Sequence, residues 1–346
     1  MRQAASPLHQ TIQSNYIKST TTGCTDSTKV RDGVRELVNR LLSCKHTPNG
    51  YPAVVVDQPC LLERKLNALL DRGIGAFQVV SDFDHTLSKF RHNNISVPIT
   101  HGVFYASSNL PPTIKQRWED TLEFYLPIER DLNMPDVKKA PHMVEFWNKA
   151  HDLLVQANLH QSLMKTMMQH SRIVLREHVH TFLHLLREHR VPVLVFSAGV
   201  GDIIETVLEQ EDLCSDNLRV LSNFMDFDSE GILTGFRSPL VHMLNKTIRD
   251  LPELQKLCCF PDPSTLLLLG DSVADTRMVD EQHVPSEVTL KIGFLNEPGD
   301  ESLALYKSIY DVVLIDDETF RVPLMILELL LCAPNPEEAK DNKPTS

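Results

Sequence analysis

Phe77-Gln78-Val79-Val80-Ser81-Asp82-Phe83-Asp84-His85-Thr86-Leu87-Ser88 is the stretch on which the fold turns. An apolar β-type run, carried by Phe77, Val79 and Val80, ends in two aspartates that flank one aromatic. In an open parallel sheet, ligands bind beyond the carboxyl ends of the strands. A spacing of two puts Asp82 and Asp84 on one side of the chain, at the place where such sheets do their chemistry. An acidic turn after a strand would be spelled the same way, so the rest of the chain has to decide.

Two more strand-like runs end in polar residues of matching character. Val191-Pro192-Val193-Leu194-Val195-Phe196 runs into Ser197-Ala198-Gly199-Val200-Gly201, and Asp202 to Glu209 then has helical apolar spacing. A small hydroxyl and free backbone N–H groups before a helix N-terminus suit an anion such as phosphate. Lys246, in Asn245-Lys246-Thr247, is a candidate point charge for phosphoryl oxygens. Leu266 to Leu269 leads into Gly270-Asp271-Ser272-Val273-Ala274-Asp275. Two carboxylates four residues apart at a strand-to-helix turn suit a hard, oxygen-liganded cation such as Mg²⁺.

The elements around these runs alternate. Helical spacing is expected over 30–42, 61–70, 176–188, 276–280 and 320–331, and strands over 218–222, 288–294 and 311–315, with a hairpin at Asp228-Ser229-Glu230-Gly231. Alternation of this kind predicts an α/β fold, a doubly wound parallel sheet. Over a hundred residues separate Asp84 from Ser197, far more than an ordinary βα connection, and 114–126, 142–157 and 161–170 read as helices. The expected organisation is therefore a core over 28–88 and 173–332, a helical cap over 89–172 facing the carboxylates, a disordered extension over 1–27 and a polar tail over 333–346.

The DxDxT spelling after a strand, with the Ser, Lys and GDSxxD segments in order, resembles the haloacid dehalogenase-like phosphatases. In such a site the first carboxylate attacks phosphorus and the second protonates the leaving oxygen and later deprotonates water. Longer runs resemble the cytosolic 5′-nucleotidase III family, the pyrimidine 5′-nucleotidases and their 7-methylguanosine-phosphate-specific relatives, from about Pro59 to Leu331. These are SDFDHTLS, Pro141 to His151 in the cap, PVLVFSAGVGDIIE, Val220 to Phe227 and Leu290 to Asn296. The resemblance implies Asp82 as nucleophile and Asp84 as acid/base. It implies Mg²⁺ held by the Asp82 carboxylate, the Asp84 backbone carbonyl and Asp271. Ser197, Ala198 (through its backbone) and Lys246 would grip the phosphate, with Asp275 steadying Lys246 or a metal-bound water. The family's base-recognition glutamate falls on Glu129. Ala150 replaces the serine of the pyrimidine-type members, which tilts the expected substrate toward 7-methylguanosine monophosphate over CMP. Cap aromatics Trp118, Tyr125, Phe146 and Trp147 could stack on a cationic methylated purine or simply form the cap's core.

Composition narrows the partners. The chain has 346 residues and a formal net charge of −12, which disfavours a nucleic-acid polymer or an anionic membrane surface but permits a mononucleotide. Seven cysteines without a paired CxxC read as free thiols in a reducing compartment, the cytoplasm, although the Ser/Thr-rich start also permits organelle targeting. No apolar run is long enough to span a bilayer, and a monomer is expected. His170, His178, His180, His184 and His189 follow no metal-ligand spacing, and Lys291 and Cys258-Cys259 read as structural. Two further outcomes are phosphotransfer to a nucleoside from the same intermediate, and nucleotide binding without turnover.

Overall fold

The computed structural model describes residues 27–44, 47, 50–131, 133–170, 173–247, 265–279 and 288–333. The expected N-terminal extension before Ser27, the Cys258-Cys259 pair and the tail beyond Ala333 lie outside the described residues. In chain order the elements are α1 (Ser27–Leu42), β1 (Val54–Val55), α2 (Pro59–Arg72), β2 (Phe77–Ser81), β3 (Arg91–His92), β4 (Ile95–Ser96), α3 (Gly102–Ala106), α4 (Pro112–Arg130), α5 (Asp136–Gln156) and α6 (Gln161–His170). There follow α7 (Val179–Glu188), β5 (Val193–Val200), α8 (Gly201–Gln210), β6 (Leu218–Asn223), β7 (Met225–Phe227), β8 (Leu233–Phe236), β9 (Thr265–Gly270), β10 (Thr289–Leu295), α9 (Asp300–Ile309), β11 (Val312–Ile315) and α10 (Arg321–Leu331).

Seven strands form one sheet in the order β1-β11-β10-β9-β2-β5-β6, parallel throughout except for the two-residue edge strand β1. Val79 pairs with Val193 on one side and Leu267 on the other, so β2 is an interior strand, next to the central β9. Alternate residues feed opposite faces. Val79, Leu267 and Leu269 belong to one core cluster, Val80, Leu266 and Leu268 to the other. Strands covered on both faces explain the unbroken apolar runs of the sequence. Helix α7 buries Val179, Phe182, Leu183 and Leu186, one stripe at helical spacing.

The expected α/β fold is present, with local differences. Strand β5 continues to Val200 through an irregularity in its register with β6, where a loop from Ser197 was expected. Helix α7 starts at Val179, so Arg176 precedes it. A 3₁₀ turn, Val273–Arg277, stands where a short helix was expected near Thr276, and its Ser272–Asp275 capping box explains the shift. Helix α9, the β3–β4 hairpin, α3 and β1 are additional elements that the sequence pattern does not predict. The hairpin at Asp228–Gly231 is there, joining β7 and β8.

The insertion between β2 and β5 is helical. It leaves and re-enters beside itself: Ser88 and Leu175 form an antiparallel bridge, Lys89 N donates to Val174 O (2.7 Å) and Arg176 N to Leu87 O (2.9 Å). Its interior is aromatic. Tyr105 stacks on Trp118 at 4.2 Å, Trp118 on Phe146 at 5.8 Å, and His151 of α5 on Phe236 of β8 at 3.7 Å. Ala150 is fully buried here, its carbonyl accepting from Tyr105 Oη. Its methyl thus belongs to the packing between helices.

Candidate active site

Strand β2 extends its pairing by one bond, Asp82 N to Leu269 O at 2.9 Å, and then turns. Phe83 goes into the core with no exposed surface, which leaves the two flanking carboxylates on the other side. His85 follows in the left-handed region at φ 61°, and Ser88 Oγ accepts from His85 N at 2.8 Å. This tight turn aims Asp82 and Asp84 into a cleft of about 190 Å³ at the carboxyl ends of the strands. The candidate catalytic, phosphate-binding, metal and base-recognition residues all line that cleft: Asp82, Asp84, Glu129, Ser197, Ala198, Lys246, Asp271 and Asp275.

Lys246 is the hub of the charges. Its buried Nζ lies 2.5 Å from Asp82 Oδ1 and 2.6 Å from Asp275 Oδ1. Burial would depress this ammonium, but the Asp275 and Asp82 carboxylates outweigh it and hold the pKa above its ordinary value. The other oxygen of Asp275 accepts from Asp271 N (3.0 Å), Ser272 N (2.8 Å) and Ser272 Oγ (2.9 Å). Asp275 is thereby a fixed anchor for Lys246. A Cβ at Gly270 would come within 2.7 Å of Asp275 Oδ2, so only glycine fits the strand end beneath it.

The two aspartates after β2 differ in environment. Burial raises Asp82 to about 6, against the opposing charge of Lys246. Burial and then the Asp82 charge raise Asp84 to about 7. Thr100, which no motif singles out, holds Asp84 in place: its N–H donates to Oδ1 at 2.9 Å and its hydroxyl to Oδ2 at 2.8 Å. The same hydroxyl accepts from Val200 N at 3.0 Å. Gly199 N is taken by Ser197 Oγ at 3.0 Å. Two of the backbone N–H groups expected to be free for an anion are therefore already bonded. Gly199 is also the point of closest approach, since a Cβ there would run into Thr100 Oγ1 and lie 2.8 Å from Asp84 Oδ2.

The donor set fits a hard divalent cation. Asp82, Asp271 and Asp275 each offer an oxygen within 4.8 Å of the others, and the described lining sets five carboxylates against one lysine. Burial, followed by Asp82 and Asp275, pushes Asp271 well above the usual carboxylate range, the condition that a bound cation relieves. A phosphate entering this cleft needs such a charge.

The insertion contributes the far wall. Glu129, in the last turn of α4, has its carboxyl raised by burial against the charges of Arg130 and Lys139, and Lys139 Nζ fixes that turn through Glu129 O and Asp131 O. Trp147 lines the cleft as well, and its buried indole N–H has no partner among the described residues. Trp118, Tyr125 and Phe146 are core. Asp136, at the start of α5, pairs with Arg277 at 2.6 Å, tying the insertion to the turn that carries Asp275.

A sheet-end cleft with a paired aspartate motif, a buried lysine and a helical lid defines a phosphatase-type α/β enzyme. Residues 85–331 match the family model described as Pyrimidine 5′-nucleotidase (UMPH-1). The chain is 38% identical over 282 residues to the 7-methylguanosine phosphate-specific 5′-nucleotidase of Gallus gallus, covering 80% of this chain and 96% of that one. To the enzyme of that name from Homo sapiens it is 35% identical over 280 residues, 81% and 93% of the two chains. The crystal structure of cytosolic 5′-nucleotidase IIIB bound to cytidine superposes with a TM-score of 0.69 at 31% identity, covering 84% of this chain and 96% of that one. The chain belongs to the pyrimidine 5′-nucleotidase family and is a 5′-nucleotidase.

Proposed function

We propose that the enzyme hydrolyses nucleoside 5′-monophosphates, 7-methylguanosine monophosphate and CMP ahead of AMP, through an aspartyl phosphate and with Mg²⁺. The observation that carries this reading is the convergence of Asp82, Asp84, Lys246 and Asp271 with Glu129 and Trp147 on one cleft. An Asp82 carboxylate oxygen forms the bond to phosphorus as the bond to the 5′ oxygen breaks, and Asp84 supplies that oxygen's proton. Asp84 then takes a proton from water, which attacks phosphorus and releases Asp82. Ser197, Ala198 and Lys246 hold the phosphoryl oxygens, and Asp275 fixes Lys246. Asp82, the Asp84 carbonyl and Asp271 would hold Mg²⁺, which offsets the negative charge of the carboxylates and phosphate. The core over 28–88 and 173–332 performs the chemistry and the cap over 89–172 selects the base. The working species is a cytoplasmic monomer.

Protonated Asp84 is required for the first step, so kcat/KM falls as pH rises through about 7. The Thr100 hydroxyl stabilises the ionised carboxylate. Thr100→Val removes that donor, raises the pKa of Asp84 and moves the alkaline limb upward, by up to about one unit. A limb that stays in place in this variant rules out Asp84 as its source.

Glu129 accepts hydrogen bonds from donors on cytosine- and guanine-like edges, whereas adenine presents a ring acceptor. An acceptor facing an acceptor costs about 1–3 kcal/mol, roughly tenfold or more in rate. Trp147 beside Glu129 suits a cationic methylated purine. A kcat/KM panel over the three nucleotides tests this. Wild type discriminates against AMP and Glu129→Gln loses most of that discrimination; equal turnover of AMP, unchanged in Glu129→Gln, sinks the assignment.

A further inference from the structure

Arg176 is the largest fully buried side chain among the described residues, 1% exposed, and the nucleotidase chemistry above makes no use of it. Its guanidinium donates from Nε to Thr86 O (2.8 Å), from one terminal nitrogen to Asp317 O, and from the other to His85 O (2.5 Å) and Asn296 Oδ1 (2.7 Å). The fork also lies 4.3 Å over the Phe294 ring. All these acceptors are neutral, though an unpaired buried charge is expensive. Burial pulls the guanidinium down to about 10, and the fields of Asp317 and Asp271 hold it up. One of those two carboxylates is in the cleft.

The connection runs through Asn296, which follows β10. Its amide oxygen accepts from Arg176, and its Nδ2 donates to His85 O at 3.1 Å and to Asp271 Oδ2 at 3.3 Å. The loops after β2, β9, β10 and β11, separate in sequence, are thus gathered by one guanidinium and one amide. The His85 carbonyl lies one peptide beyond the Asp84 carbonyl, so gripping it fixes the turn that carries both aspartates.

We propose that Arg176 and Asn296 are positioning residues for the nucleotidase reaction: Arg176 orients the Asn296 amide and the His85 peptide, and Asn296 sets the Asp271 carboxylate to receive a divalent cation. This rests on the metal reading above. Partners that orient metal ligands without touching the ion are worth about 10–100-fold in affinity or activity.

The test is Mg²⁺ titration by calorimetry into the nucleotide-free full chain, with thermal melting and steady-state kinetics. The variants are Asn296→Ala and Arg176→Lys, which keeps the charge and loses the fork. The control is Lys65→Met, which breaks a buried ion pair with Asp311 (2.7 Å to both oxygens) away from the cleft. Asn296→Ala weakens Mg²⁺ binding by about tenfold or more and lowers kcat with little change in nucleotide KM. Arg176→Lys moves the same way, and Lys65→Met lowers Tm without altering Mg²⁺ affinity. An Asn296→Ala protein that binds Mg²⁺ like wild type, whatever its Tm, overturns the positioning role and leaves the function above standing. Wild type that turns over nucleotide yet binds no Mg²⁺ overturns both.

Discussion

Asp82→Asn lowers mononucleotide turnover by at least about 10⁴-fold, the scale seen when a covalent nucleophile is removed. The amide keeps the shape of the carboxylate but cannot attack phosphorus, and the remaining groups only bind and polarise the substrate. The protein stays folded, because Lys246 retains Asp275 at 2.6 Å and strand β2 is held by Val79, Val80 and Ser81 on both sides. Phosphate release at saturating nucleotide, alongside a thermal melt, is the measurement. Residual activity within about a hundredfold of wild type in a protein free of contaminating phosphatase would falsify covalent catalysis by this residue.

Lys246→Met acts on both stability and rate. It removes the ammonium that Asp82 and Asp275 share at 2.5 and 2.6 Å, leaving two buried carboxylates facing each other. Removing one partner of a buried pair costs about 3–5 kcal/mol, so the metal-free protein melts at clearly lower temperature. kcat/KM also falls by about 10²–10³-fold, the usual loss for one preorganised charge on a reacting oxygen. With the repulsion unrelieved, protonation of a carboxylate becomes the remaining remedy. The destabilisation is therefore greatest at neutral pH and shrinks as pH falls. A variant as stable as wild type at pH 7 shows that the carboxylates do not depend on this cation.

The sequence made the centre of the fold legible for a physical reason. Strands β2, β5 and β9 are covered on both faces, so their apolar runs are unbroken, and each ends where polar residues resume. Asp82 and Asp271 are visible because a carboxylate directly after such a strand has nowhere to go but the cleft, and Asp84 and Asp275 stand in the turns that follow. Where burial is one-sided or slight, the signal fades. Helix α9 is not legible because Tyr306 is its one buried residue, too little to make a stripe, and β1 is only two residues long. Thr100 was invisible because its partners, Asp84 and Val200, are 16 and 100 residues away. Arg176 looked like the first residue of a helix because nothing local reveals that its acceptors lie on distant loops. Glu129 stood out through family resemblance alone; by itself it is one acid among many in the cap.

The bridge between Ser88 and Leu175 bears on how the chain reaches its native state. Strands β2 and β5 are neighbours in the sheet, yet over a hundred residues of chain lie between them. Closing so long a loop costs about 2 kcal/mol more in entropy than closing one of ten residues, and such non-local pairings slow folding. Helices α4 and α5, by contrast, are adjacent in sequence and pack on each other, a contact that can form early. Once they have collapsed and the bridge has tied the two ends together, the intervening chain is spent inside a compact body. The parallel pairing of β2 with β5 then needs only the ordinary crossover through α7, and the helical insertion serves as the scaffold on which the sheet is completed.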